Sequence, residues 1–133
     1  MKVGYKALLE EARGTIKALT VKEAIARHGD ANVVFVDLRD IRELQRDGMI
    51  PGAFHAPRGM LEFWVDPDSP YHKEIFASGK EFLFYCASGW RSALATAAVQ
   101  RMGLAPVAHI EGGFTAWREA GGAVERKEEK KSA

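Results

Sequence analysis

The stretch FLFYCASGWRSALATAAVQ, Phe82 to Gln100, decides the fold. Its first four residues are all apolar. A strand with one wet face would alternate, so this run reads as a strand covered on both faces. From Arg91 the pattern becomes helical, RSALATAAVQRMG, about three turns ending at Gly103. Between strand and helix lies a short turn that holds Cys86, the only cysteine in the chain. A strand that feeds a helix through a tight turn is half of a β–α–β unit. In open parallel sheets ligands bind beyond the carboxyl ends of the strands, and Cys86 is where this strand ends.

The rest of the chain repeats the alternation. VVFVDLR, Val33 to Arg39, is another continuous apolar run, and PVAHIEGG contains a third. Helical patterns separate them. ALTVKEAIARHG has Thr20 as its cap, Glu23 three residues on and Gly29 as its stop, and DIRELQRDG runs from Asp40 to Gly48. IPGAFHAP reads as a turn with a short strand, and FTAWREAGG as a last helix. Strands alternating with helices predict an α/β protein, a parallel sheet with helices on both faces.

The turn CASGWRS has a chemical use. Gly89 is free to take positive φ, as a concave nest of amides requires. The helix start adds unpaired N–H groups and the positive end of its dipole, and Arg91 adds a cation with several donors. All three favour an anion. A free thiol with a pKa near 8.5 is only about 3% ionised at neutral pH, but such surroundings bring thiols to about 3.5–7.5. A lone cysteine after an apolar strand is ordinarily core filling. Core filling does not need Gly, Arg and Ser around a tight turn, so Cys86 reads as a nucleophile in an anion cradle. Phosphatases of this kind place five residues between the cysteine and the arginine. Here the spacing is four, a smaller ring that suits a terminal sulfur on Cys86 better than a tetrahedral phosphate.

Composition sets the bounds. With 133 residues, 47% hydrophobic and 28% charged, the chain has room for one domain with a real core. We assign that domain to residues 1–124, and 125–133 to a charged, frayed tail, ERKEEKKSA. A net charge of +1 without a basic stripe predicts no nucleic-acid partner. No apolar run has the length of a membrane span. A single free thiol and an N-terminus of mixed charge predict a cytoplasmic protein. His28, His55, His72 and His109 are scattered without ligand spacing, which predicts neither a metal site nor a cofactor.

CASGWRS resembles the active-site loop of rhodanese-like sulfurtransferases. VDLRD (Val36 to Asp40), GMIPGAFHAP (Gly48 to Pro57) and IEGGFTAW (Ile110 to Trp117) follow the family in the same order. The resemblance implies a single-domain rhodanese-like fold, a central, mostly parallel five-stranded sheet flanked by helices on both faces. It implies a thiosulfate sulfurtransferase in which Cys86 carries a persulfide. The amides of Ala87, Ser88, Gly89, Trp90 and Ser92 would bind substrate, and Arg91 would bind the anionic donor. Arg58 stands as a further anion contact and Asp37 and Arg39 as structural supports of the site, Arg39 with Glu43 as a second partner. The implied partners are a small sulfur donor and a thiol or cyanide acceptor, with a sulfur-relay or thioredoxin-like protein beside them. Other readings are a non-catalytic binding or sensing module of the family, or a cysteine phosphatase or arsenate reductase. Met49 stands where relatives commonly carry His. The segment from Arg58 to Lys80 has Phe63, Trp64 and Tyr71 either to lie over the site or to close the core.

Overall fold

A computed structural model describes residues 1–128. Of the expected tail, residues 129–133 lie outside this range. In chain order the elements are α1 (Tyr5–Thr15), β1 (Ala18–Leu19), α2 (Val21–Arg27), β2 (Val33–Asp37), α3 (Ile41–Asp47) and β3 (Phe54–His55). A 3₁₀ turn (Arg58–Met60), α4 (Leu61–Val65) and a second 3₁₀ turn (Glu74–Ala77) follow. The chain then forms β4 (Glu81–Tyr85), α5 (Trp90–Met102), β5 (Val107–Ile110) and α6 (Gly113–Glu119). The sheet order is β1-β5-β4-β2-β3 and every pairing is parallel.

The continuous apolar runs are the central strands, as the sequence predicts. Successive side chains point to opposite faces, and the core divides accordingly. Val34, Val36, Phe82, Phe84 and Val107 meet Leu61, Val65, Phe76, Ala95 and Val99 on the face covered by α4 and α5. Phe35, Leu83, Tyr85, Ala108 and Ile110 meet Ala24, Phe114 and Trp117 on the face covered by α2 and α6. Phe82 to Tyr85 are each at most 1% exposed, and burying such a side chain contributes roughly 1.5–3 kcal/mol.

Local signals set the helix ends. Thr20 and Glu23 form a capping box at α2, and Asp40 and Glu43 form another at α3. Two elements differ from the reading above. Ala18 and Leu19, which the sequence reading leaves as the lead-in to the helix capped by Thr20, form β1. The adjoining backbone accepts from β5, with His109 N–H donating to Lys17 O and Glu111 N–H to Leu19 O. The helix α1 carries no side-chain cap and packs on α5.

The segment after β3 closes the core. Leu61, Val65 and Phe76 are buried, and Trp64 packs edge-on against Phe54, while Phe63 and Tyr71 face solvent. Val65 and Phe76 line a cavity with Met102 and Leu104, at the end of α5 remote from Cys86. Glu125, assigned to the tail, belongs to the folded domain. It exchanges both backbone hydrogen bonds with Met49, each 2.8 Å, and its carboxylate accepts from Gly52 N–H.

Candidate active site

Cys86 follows the last residue of β4, and its side chain turns to the α5 face. Cys86 is 1% exposed, yet the sulfur's hydrogen-bond partners are polar. It accepts from Gly89 N–H at 3.2 Å and Ser92 N–H at 3.4 Å. Ser92 is the third residue of α5, whose amide has no partner within the helix. No side chain caps α5 at Gly89. The sulfur of Cys86 takes that place, where an oxygen would stand at most helices. A negative charge on the sulfur is therefore met by two amides and by the helix dipole.

The loop's carbonyls are tied off on its other side. Phe114 N–H donates to Cys86 O at 2.8 Å, and Thr115 N–H to Ala87 O at 3.1 Å. These bonds hold the loop against the start of α6. The approach requires glycine: a Cβ on Gly113, at φ +61°, would lie 2.5 Å from Cys86 O and 2.7 Å from Ala87 O. Gly113 of IEGGFTAW thus permits the contact that orients the loop, while Gly112 turns the chain into α6. Gly89 has φ +105°, the left-handed conformation expected of it.

Of the other predicted substrate contacts, Ala87 is half-buried, Ser88 is exposed and Trp90 is exposed with its ring tilted against Tyr5 of α1, centroids 5.1 Å apart. Arg91 is not a free cation. Glu43 of α3 grips its guanidinium with two bonds of 2.8 and 2.9 Å. The Arg91 bonds hold the Glu43 carboxyl below its ordinary pKa, and Glu43 pushes Arg91 up, with Cys86 adding in the same direction. Glu43 is therefore the partner of Arg91 and not of Arg39.

Arg39 is buried and donates to both oxygens of Asp37, at 3.0 and 2.8 Å, and to Gly48 O at 2.7 Å. Its guanidinium lies 4.3 Å from the Phe114 ring centroid. Burial works against its charge, and the bonds to Asp37 outweigh it, so its pKa moves up. Asp37 pairs in register with Tyr85, the residue before Cys86, on the face opposite the thiol. The pair therefore braces the strand end from behind. Burial drives the Tyr85 hydroxyl far up, and that hydroxyl accepts from Ile50 N–H at 3.1 Å. Arg58 pairs with Glu62 at 2.7 Å within its own segment. Met49 is buried packing.

In the sequence His109 is only one of four scattered histidines. It is buried, with Nδ1 3.0 Å from Ser92 Oγ, which lies 3.7 Å from Cys86 Sγ. A polar residue in an otherwise apolar buried strand was the signal. Among the described residues no three His, Cys, Asp or Glu side chains form a group able to hold a metal ion, and no helix is long and apolar enough to cross a membrane.

Residues 20–120 match the family model of the rhodanese-like domain. YtwF of Bacillus subtilis, which bears a sulfurtransferase name, is 32% identical over 102 residues, 77% of this chain and 87% of that protein. A sulfurtransferase of Allochromatium vinosum is 30% identical over 90 residues, 68% of this chain and 76% of its own. A solved structure from Rhodopseudomonas palustris is 60% identical with a TM-score of 0.92, covering 94% of this chain and 96% of that one. It is described as a protein of unknown function and a possible tyrosine phosphatase.

Proposed function

Because the chain belongs to the rhodanese-like domain family, we propose that it is a sulfurtransferase that carries sulfane sulfur as a persulfide on Cys86, with thiosulfate or another persulfide as donor. The thiolate attacks the outer sulfur of the donor. The S–S bond of thiosulfate breaks, sulfite leaves with the bonding electron pair, and Cys86 keeps the outer sulfur. A thiophilic acceptor, cyanide in an assay or a thiol in the cell, then attacks that sulfur and returns the thiolate. No second cysteine is needed, and the chain has one.

The observation that carries this reading is the sulfur's place as cap of α5, with the Gly89 and Ser92 amides on it. Such a seat favours the thiolate as nucleophile and as leaving group. Among these residues Ser88 and Trp90 line the exposed side of the loop, where a donor would arrive.

The phosphatase description of the Rhodopseudomonas protein gives a second reading. Two observations count against it. Only four residues separate the cysteine from the arginine, and the guanidinium fork that would clasp a phosphoryl group is engaged by Glu43. Intact-mass analysis after thiosulfate separates the readings. Sulfur transfer predicts a gain of one sulfur atom on the wild type, lost on adding cyanide and absent in Cys86→Ala. Hydrolysis of an aryl phosphate without sulfur loading would establish the phosphatase instead, and inertness toward both would mark a binding module.

A further inference from the structure

His109 stands opposite Phe84 in the β4–β5 register, which places its ring on the face covered by α5. Cys86, Ser92 and His109 are each at most 1% exposed, so bulk water does not compete for the contacts between them. From Cys86 Sγ the distance to Ser92 Oγ is 3.7 Å, within reach for a sulfur donor, and from Ser92 Oγ to His109 Nδ1 it is 3.0 Å. The neighbours on this face are apolar, Val36 and Phe84 among them. An imidazole here is costly unless its polar atoms are used, and packing alone would be met by an aliphatic side chain.

We propose that Ser92 and His109 form a relay that takes the proton from the thiol of Cys86. The S–H proton passes to Ser92 Oγ as the hydroxyl proton of Ser92 passes to His109 Nδ1. Thiolate and imidazolium form together, and the net charge of the site is unchanged. The Gly89 and Ser92 amides then hold the thiolate. His109 touches no substrate; it is a positioning residue acting through Ser92.

The charges around the ring suit this role. Burial holds His109 toward its neutral form, the form with an acceptor nitrogen. Glu111, just past β5, favours the imidazolium, and Arg13 of α1 opposes it. In the sheet register the flanking positions are Phe84 on β4 and Ala18 on β1, neither titratable, and α5 contributes Ser92. The imidazolium is thus stable chiefly beside the thiolate it has created. The arrangement resembles a cysteine–histidine pair with a hydroxyl inserted.

The inference rests on Cys86 as the nucleophile, but its test needs no sulfur donor. Thiolate absorbance is titrated against pH, with Cys86→Ala subtracted so that the single thiol is isolated. His109→Gln and Ser92→Ala are expected to raise the sulfur's proton affinity about tenfold, equivalent to about 1.4 kcal/mol. The double variant should go no further than either single one, and Ser92→Thr, which keeps the hydroxyl, should titrate as the wild type does. Midpoints unchanged in both Ser92→Ala and His109→Gln would overturn the relay, as would a Ser92→Thr midpoint shifted like that of Ser92→Ala. If His109→Gln does not fold, the two Ser92 variants decide. Sulfur loading by thiosulfate is scored separately, so the relay can fail while the transfer reaction stands.

Discussion

Gly113 shows how one missing methyl group can govern a site it does not touch. A side chain there would meet the carbonyls of Cys86 and Ala87 at 2.5–2.7 Å, and both belong to backbone that cannot swing aside. Gly113→Ala should therefore push α6 off the loop, lowering stability by about 1–3 kcal/mol as overpacking does and sulfur loading by a larger factor. Gly89 is a useful contrast: its substituent would meet nothing closer than 3.5 Å. Gly89→Ala should cost about 1–2 kcal/mol, from the left-handed backbone alone. Thermal unfolding with intact-mass loading checks both variants. Thr96 offers the opposite sign, since its buried hydroxyl has no partner among the described residues. Thr96→Val should raise stability by about 1 kcal/mol by removing an unmet desolvation cost. At Asp37 the stakes are higher, because Asp37→Asn leaves the buried guanidinium of Arg39 without its counter-charge. A loss of about 3–5 kcal/mol is expected in a denaturant titration.

Elements meet at the site through contacts of different reach, and legibility followed that reach. The capping box of α2 spans three residues and is read directly from Thr20 with Glu23, whereas Glu43, the second half of the box at α3, is read only as a partner for Arg39. The apolar runs of β2, β4 and β5 were equally plain, because burial on both faces leaves no polar alternation to confuse them. The loop's place at a strand end and helix start followed from these. What could not be read was made by register. Glu43 and Arg91 are 48 positions apart, and Ser92 and His109 are brought together only when β5 aligns with β4. Helix α1 lacks a cap signal and forms by packing on α5. The α3–α5 contact has its own test. Arg91→Ala should cost about 1 kcal/mol of stability, as for a half-exposed ion pair, yet reduce donor use far more. Arg91→Lys should fall between, since an ammonium keeps the charge and loses the two-pronged grip. Steady-state assays with thiosulfate beside thermal unfolding separate the two effects.

At the scale of the whole molecule, the same ion pair makes folding sensitive to acid. Glu43 has a folded-state pKa below the ordinary 4.5 of its kind, chiefly through Arg91. The unfolded chain binds its proton first as pH falls, so the contribution is complete above that value and lost progressively below it. Glu43→Gln should flatten this part of the stability profile, measured by denaturant unfolding at a series of acid pH values. An identical slope in the variant would show that Glu43 does not couple protonation to folding.

The sheet's outer strands, β1 and β3, are two residues long. A foreign strand approaching either margin finds space for a rung or two, too little for a lasting ladder. The long, greasy strands that could template a fibril are the interior ones, each already paired on both sides. Polymerisation by strand addition must therefore wait for β2 or β4 to be laid bare. In this fold, resistance to aggregation is a matter of how rarely the sheet opens.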